Sequence, residues 1–245
     1  MHTPKSPRIA VLVTLLFATT ALASAAACRS SGAPGSASAR SRGHAPAPAA
    51  RPKATDTSEK RILKVLEEMD SERSGMMNVS KADGKLLRML VAMVNAKHVV
   101  EIGTSNGYSS IWMALAVRRT GGRITTFEID EGRAKLARRN WKRAGVTPLM
   151  TLVMGDAHEK VKSLQGPIDV LFLDADKSGY VDYLAKLLPK IRPGGLIIAH
   201  NMVYPKPDPR FIKAITTNPA LETHFLLMNG AGMGVTLKKR PVPPK

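Results

Sequence analysis

The stretch Val99-Val100-Glu101-Ile102-Gly103-Thr104-Ser105-Asn106-Gly107-Tyr108-Ser109 limits what this chain can fold into more than any other. It reads as a buried strand that stops at a glycine, turns tightly and opens a helix. Such a turn aims free backbone N–H groups at a ligand just past the strand's carboxyl end. A second strand follows one crossover later, Arg123-Ile124-Thr125-Thr126-Phe127-Glu128-Ile129-Asp130, and ends in acid. A carboxylate there can accept hydrogen bonds from a ribose. Together the two strands point to a nucleoside-containing cofactor. The first turn alone is also served by a plain tight connection, since Ser105 stands where a full dinucleotide fingerprint has its middle glycine.

Periodicity extends this unit in both directions. Residues 59–73 put Ile62, Val65, Leu66 and Met69 on one helical face, and residues 83–94 do the same with Leu86, Leu87, Leu90, Val91 and Val94. Ser74-Gly75 ends the first helix, and residues 76–80 connect the two. Strands are expected at 98–102, 124–129, 150–154, 169–173 and 196–199. Helices are expected between and after them, at 108–119, 131–144, 158–164, 180–191 and 209–217, the fourth stopped by Pro193-Gly194-Gly195. Alternation of this kind builds a doubly wound α/β sheet, mostly parallel, with helices on both faces. The last two strands, 224–228 and 234–238, are joined too tightly for a helical crossover and form an antiparallel hairpin, so the final strand runs against the others. That makes seven strands.

The chain has 245 residues, enough for one such domain plus extensions. Lys and Arg total 37 against 19 Asp and Glu, a formal charge of +18. Seven basic residues and no acid precede Asp56, which leaves 30 basic residues against 19 acidic ones in the rest, still +11. A basic surface suits RNA, an anionic membrane or a CoA-like substrate, and equally a soluble surface with no partner. Aromatic residues make up 4%, so the core rests on aliphatic side chains, with methionine as filler.

The N-terminus reads as an address. Lys5 and Arg8 precede residues 9–27, which carry no charge and end in small residues. This is the pattern of an export signal. Ala25-Ala26-Ala27-Cys28 resembles a bacterial lipoprotein junction, in which the cysteine becomes the lipidated first residue of an exported, membrane-anchored protein. An uncleaved anchor is the runner-up, because 19 uncharged residues (9–27) just span a bilayer. Cytoplasmic residence is the alternative, favoured by the arginines after the apolar run. Cys28 is the one cysteine, so no intramolecular disulfide forms. Residues 28–58, rich in Ser, Ala, Gly, Pro and Arg, read as a disordered tether, and the folded domain is expected over 59–245.

Ligands of such sheets bind at the carboxyl ends of the strands. Here those ends carry Glu101, Glu128, Asp156, Asp174, Asp176, Lys177, His200 and Asn201. Glu101 lies inside an otherwise apolar strand, where a buried carboxylate needs donors. Asp174, His200 and Asn201 follow strands that should be neighbours and can form one side of a divalent-metal site. From spacing alone, local capping accounts for the Asp and Asn, and a hydrogen-bonded bystander for the His. Lys177, three residues past Asp174, is a candidate general base or a solvated lysine.

With these motifs in hand, the chain resembles the cation-dependent O-methyltransferases, the group that holds the catechol and caffeoyl-CoA enzymes. The resemblance runs from about Met76 to Lys239. It rests on Met77-Asn78-Val79, on residues 100–109, on Phe127-Glu128-Ile129-Asp130, on Gly155-Asp156-Ala157, on Phe172-Leu173-Asp174-Ala175-Asp176-Lys177 with Tyr180, and on Ala199-His200-Asn201. It implies a Rossmann-like sheet with S-adenosylmethionine in the first crevice. Val79, Glu101, Gly103, Tyr108 and Ser109 would surround the methionine part, Glu128 the ribose, and Asp156 and Ala157 the adenine. Asp174 would touch both cofactor and metal. Asp174, His200 and Asn201 would hold Mg2+ or a similar ion, and Lys177 would take the acceptor's proton.

One departure stands out. The family usually has Asp-Asn where this chain has His200-Asn201. The exchange removes a negative charge and adds an imidazole, which favours Mn2+, Fe2+, Co2+ or Zn2+ over Mg2+, or leaves the metal lost. The expected activity is metal-assisted methylation of a small catechol-like or phenolic hydroxyl. Two other readings stay open. One is methylation of an RNA (tRNA) hydroxyl, which the exported N-terminus opposes. The other is a membrane-tethered binding protein with a degenerate metal site. A homodimer through the N-terminal helices is implied by the resemblance alone.

Overall fold

A computed structural model describes residues 52–72, 78–227 and 231–242. They fall within one unit, Pro48–Lys245. The expected address at 1–27, Cys28 and the tether up to residue 51 lie outside the described residues, as do the end of the first helix at Arg73 and the connector residues Met76 and Met77.

Two capped helices open the fold. Asp56 accepts from the Glu59 N–H ahead of α1 (Thr57–Ser71). Ser80 and Asp83 cap each other's backbone ahead of α2 (Lys81–Met93). Then β1 (His98–Ile102), α3 (Tyr108–Thr120), β2 (Arg123–Glu128), α4 (Glu131–Ala144) and β3 (Met150–Met154) follow in turn. After a short α5 (Ala157–Lys160) come β4 (Ile168–Leu173), α6 (Tyr180–Leu187), β5 (Ile191–His200), α7 (Pro209–Thr217), β6 (Leu221–Leu226) and β7 (Met233–Lys238).

The strands make one seven-stranded sheet in the order β3-β2-β1-β4-β5-β7-β6. The pairs from β3 through β5 are parallel, and β7 runs antiparallel to both of its neighbours. Strand periodicity then splits the core in two. Val99, Val170, Phe172, Leu196 and Ile198 face one side and pack with α1 to α4. Val100, Ile102, Leu171, Leu173, Ile197 and Ala199 face the other and pack with α6 and α7. The order reverses between β1 and β4, so a crevice opens above their carboxyl ends.

Four differences from the sequence reading bear on the fold. Residues 55–58, assigned to the tether, instead start the domain: Asp56 caps α1 and is gripped by both arms of the Arg118 guanidinium. The helix expected at 158–164 is a four-residue α5 followed by a 3-10 turn at Val161–Ser163. The helix expected to reach residue 191 ends at Leu187, and β5 begins at Ile191, before Pro193. There the pairing with β4 shifts register between Ile168 and Val170, which lets Pro193-Gly194 sit in an extended segment. Finally, β6 starts at Leu221 rather than His224, because Leu221 still finds Lys238 of β7 opposite it.

Candidate functional site

The crevice is a cavity of about 890 Å³ over the carboxyl ends of β1 to β5. Gly103 makes its floor possible. Its φ of +99° suits glycine, and a Cβ there would overlap the Asp174 carbonyl oxygen. The ends of β1 and β4 can therefore meet.

One end of the cavity is built by the first two turns. Gly103, Tyr108 and Ser109 line it from β1 and α3, and Val79 from the segment before α2. Glu128 closes the side. Its Oε2 accepts from Ser105 N at 2.7 Å, and its Oε1 from Ile129 N and Asp130 N at 3.0 Å each. The carboxylate thus orders both turns at once. Asp156 and Ala157, at the start of α5, line the far wall.

Glu101 is placed differently. It points to the α1–α4 side with Val99 and is not on the cavity wall; Ser109 stands over it. Ser109 Oγ donates to its Oε1, while Ser110 Oγ and Thr126 Oγ1 donate to Oε2, the latter at 2.7 Å. These are the donors its burial calls for. Burial still outweighs them and, with a contribution from the Asp174 charge, pushes the Glu101 carboxyl up to about 7.

The other end joins β4 to β5. Lys177 Nζ lies 3.0 Å from Asp174 Oδ1 and 2.8 Å from the Tyr180 hydroxyl, which itself donates to the Leu173 carbonyl at 2.8 Å. His200, at the end of β5, is buried between two acids. Its Nδ1 is 3.3 Å from Asp174 Oδ1, and its Nε2 is 3.4 Å from Asp83 Oδ2. Burial disfavours the charged ring, but the hydrogen bonds and charges of Asp174 and Asp83 overcome it and hold His200 up at about 9. Asp174 is held below the ordinary carboxylate range: its burial is outweighed by His200 and Lys177. Asn201, at φ +60°, puts its Oδ1 3.1 Å from His200 Nδ1, and its Nδ2 donates to the Tyr204 carbonyl at 2.9 Å.

The structure therefore gathers Asp174, His200 and Asn201, but as a hydrogen-bonded ion-pair cluster. Among the described residues, no three His, Cys, Asp or Glu side chains are grouped so as to hold one ion. A hard cation wants several free oxygens. Here Asp174 Oδ1 and Asn201 Oδ1 both face a histidine, and Lys177 claims the same Asp174 oxygen. The three side chains expected to hold a divalent cation thus stand together, with Lys177 and His200 already engaging the Asp174 oxygen.

Sequence reasoning missed two groups of residues at the site. Asp83, expected only as the start of a helix, is the third residue of the α2 capping box and also reaches His200, 117 residues away. His158 lines the cavity beside Ala157 and stacks on Tyr183 with ring centres 4.3 Å apart. It is held by Asp182 Oδ2 at 2.5 Å and faces Asp176 Oδ2 at 3.3 Å, and the Asp182 hydrogen bond keeps it above the ordinary histidine range. The position of His158 two residues after Asp156 was the available signal.

Comparison with known proteins agrees with this geometry. Residues 53–208 match the family model described as O-methyltransferase. The chain is 37% identical over 165 residues to a catechol O-methyltransferase of Niastella koreensis, covering 65% of this chain and 73% of that one. It is 38% identical over 128 residues to a catechol O-methyltransferase of Mycobacterium tuberculosis, covering 51% and 57%. An O-methyltransferase from Bacillus cereus, solved in complex with SAH, matches with a TM-score of 0.66 and 30% identity over 77% of this chain and 92% of its own.

Proposed function

The chain belongs to the O-methyltransferase family, and from that premise we propose that it moves the methyl group of S-adenosylmethionine onto a hydroxyl of a small phenolic or catechol-like acceptor. One observation carries the proposal. A single cavity holds a glycine turn with an acid-capped second strand at one end and the Lys177–Asp174 pair at the other. The names of the two curated relatives support a catechol-like acceptor.

When bound, S-adenosylmethionine supplies a methyl group on a positively charged sulfur, open to in-line attack by the acceptor's oxygen. Glu128 holds the ribose hydroxyls with the carboxylate that already orders the turns. Asp156 and Ala157 flank the adenine, with His158 beside them. Val79, Gly103, Tyr108 and Ser109 enclose the amino-acid end, and Glu101 supports Ser109 from beneath. Lys177 Nζ has two positions taken by Asp174 and Tyr180, and its third accepts the acceptor's proton when the lysine is in its amine form. Asp174 fixes the direction of that third position. Holding both reactants in line is worth ~7–11 kcal/mol in well-oriented systems.

The test is transfer of a labelled methyl group from S-adenosylmethionine to a panel of catechols and phenols, with the product identified by mass. Labelled O-methyl product is the expected result. Absence of S-adenosylmethionine binding in calorimetry overturns the reading.

A further inference from the structure

We infer that the outer face of α4 docks on an anionic lipid bilayer. The docking does not depend on the methyl-transfer reading; only its consequence for the acceptor does.

α4 buries Ala134, Ala137, Asn140, Trp141 and Ala144 against the domain. Lys135, Arg138, Arg139 and Lys142 stand on the opposite side, all exposed. Their spacing, i, i+3, i+4 and i+7, puts them in one stripe along the helix. Each has like-charged neighbours one turn away, and such neighbours repel. A cation in the last turn suits the helix dipole, which accounts for Lys142 but not for the other three. Arg143, beside the stripe, is paired with Glu68, whereas among the described residues no carboxylate pairs with any of the four. Glu131, one turn before Lys135, is the one acid in α4.

A stripe of this kind suits an anionic partner, and a bilayer fits it better than RNA. Single-stranded RNA is gripped by aromatic rings set among the cations. The one aromatic side chain of α4, Trp141, is buried. What faces outward is charge with nothing to stack on a base, and anionic headgroups ask for no more than charge.

The chain ahead of the domain supports the same occupant. Residues 9–27 carry no charge, and every formal charge from there to Thr55 is positive: Arg29, Arg40, Arg42, Arg51 and Lys53. The domain begins at α1, and Arg61 in its second turn donates to the Lys142 and Arg143 carbonyls at 2.9 and 2.6 Å. The start of the domain is therefore held beside one end of the stripe. An apolar anchor joined to a basic patch is the two-signal arrangement that keeps a protein on a bilayer.

Arg133, in the first turn of α4, lines the cavity. A chain resting on this helix keeps its cavity near the headgroup level, where amphipathic rings collect. On the methyl-transfer reading, the acceptor is then drawn from the bilayer.

The experiment uses the full chain with vesicles of phosphatidylcholine, alone or mixed with phosphatidylglycerol. Lysines are acetylated on the vesicles and read by mass spectrometry. Lys135 and Lys142 are expected to react severalfold more slowly on the anionic vesicles, and high salt should erase the difference. Lys213 on α7, across the sheet, should react alike on both. Replacing Lys135, Arg138, Arg139 and Lys142 together by Gln should lower partition onto anionic vesicles by ~10²–10³-fold and leave neutral vesicles unaffected. Replacing Lys206, Lys213, Lys239 and Arg240 by Gln removes the same charge elsewhere and should lower it by less than ~10-fold. Equal acetylation of Lys135 and Lys142 on the two vesicles overturns the inference, as does an equal loss by the two variants. So does tRNA binding that the first variant loses while its vesicle binding stays intact. If S-adenosylmethionine does not bind, the proposed function fails, and the acetylation pattern still decides this inference.

Discussion

Lys177 Nζ lies 3.0 Å from Asp174 Oδ1, and that contact sets both the reach and the direction of the lysine. The two residues come from one turn after β4, three positions apart, so the pair forms as soon as the strand ends at Leu173. Lys177→Ala removes the proton acceptor and leaves the cofactor end intact. It is expected to lower kcat by ~10²–10⁴-fold with S-adenosylmethionine affinity unchanged. Asp174→Ala loses the guide for Lys177 and a partner of His200, and it should abolish turnover. Rapid-quench kinetics with calorimetry on each variant separates the two effects. Wild-type turnover by both removes these residues from the mechanism.

Glu128 differs from a simple ribose acceptor because three backbone N–H groups already bind it. Its loss therefore acts twice, on the ligand and on the turns. Glu128→Ala should weaken S-adenosylmethionine binding by ~10–100-fold, consistent with losing ~1.5–3 kcal/mol of hydrogen bonding to a charged group. Glu128→Gln keeps one acceptor oxygen and should fall between. Calorimetric Kd values for the three chains check the order. Equal affinities would move the ribose elsewhere.

The sheet from β1 to β5 was legible because its strands are apolar runs bounded by glycine, proline or acid. The cavity followed, since every cofactor-side residue except Val79 lies at or just past a strand end that the topology forces together. What was not legible depends on contacts rather than pattern. The start of β6 at Leu221 is set by its partner Lys238, and the length of α5 by a cap and a tight turn. Asp83 already satisfied a local rule as the third residue of a capping box, so nothing in its neighbourhood called for His200. Glu101 was expected around the methionine part of the ligand, and the period of β1 sets it beneath Ser109, which lines the cavity. The proximity of Asp174, His200 and Asn201 was foreseen from neighbouring strand ends; the reach of Asp83 to His200 was not.

Glu101 makes stability depend on pH in an unusual direction. Its carboxyl sits at about 7 in the folded chain against an ordinary 4.5. Between those values the folded state keeps a proton that the unfolded state has released, so its contribution worsens as pH rises from 4.5 to about 7 and stays flat beyond. The full effect is on the order of 3 kcal/mol. Glu101→Gln removes the titration. Its urea midpoint should exceed that of the wild type at pH 8, and the gap should close by about pH 4. A gap that ignores pH would mean the carboxyl is not the cause.

Glu59 works with the opposite sign. It is fully buried where α1 meets α3, with Arg88 reaching it from α2. Its Oε2 accepts from Thr55 Oγ1 at 2.5 Å, Thr55 N at 3.1 Å and Arg119 at 2.8 Å, while Arg88 pairs with Oε1. Burial opposes its charge, but these donors outweigh it and hold the carboxyl at about 2, below its ordinary 4.5. The stabilisation is present above pH 4.5 and is lost as pH falls from there toward 2. Arg119 is about half exposed (49%), so water screens part of the effect, leaving it on the order of 2 kcal/mol. Glu59→Gln should lower the midpoint of urea unfolding at pH 7 and lower it clearly less at pH 3. Removing residues 1–54 should leave the wild-type midpoint unchanged, whereas removing 1–56 should lower it, because Thr55 and Asp56 belong to the fold. Equal midpoints for the two truncations would return those residues to the tether.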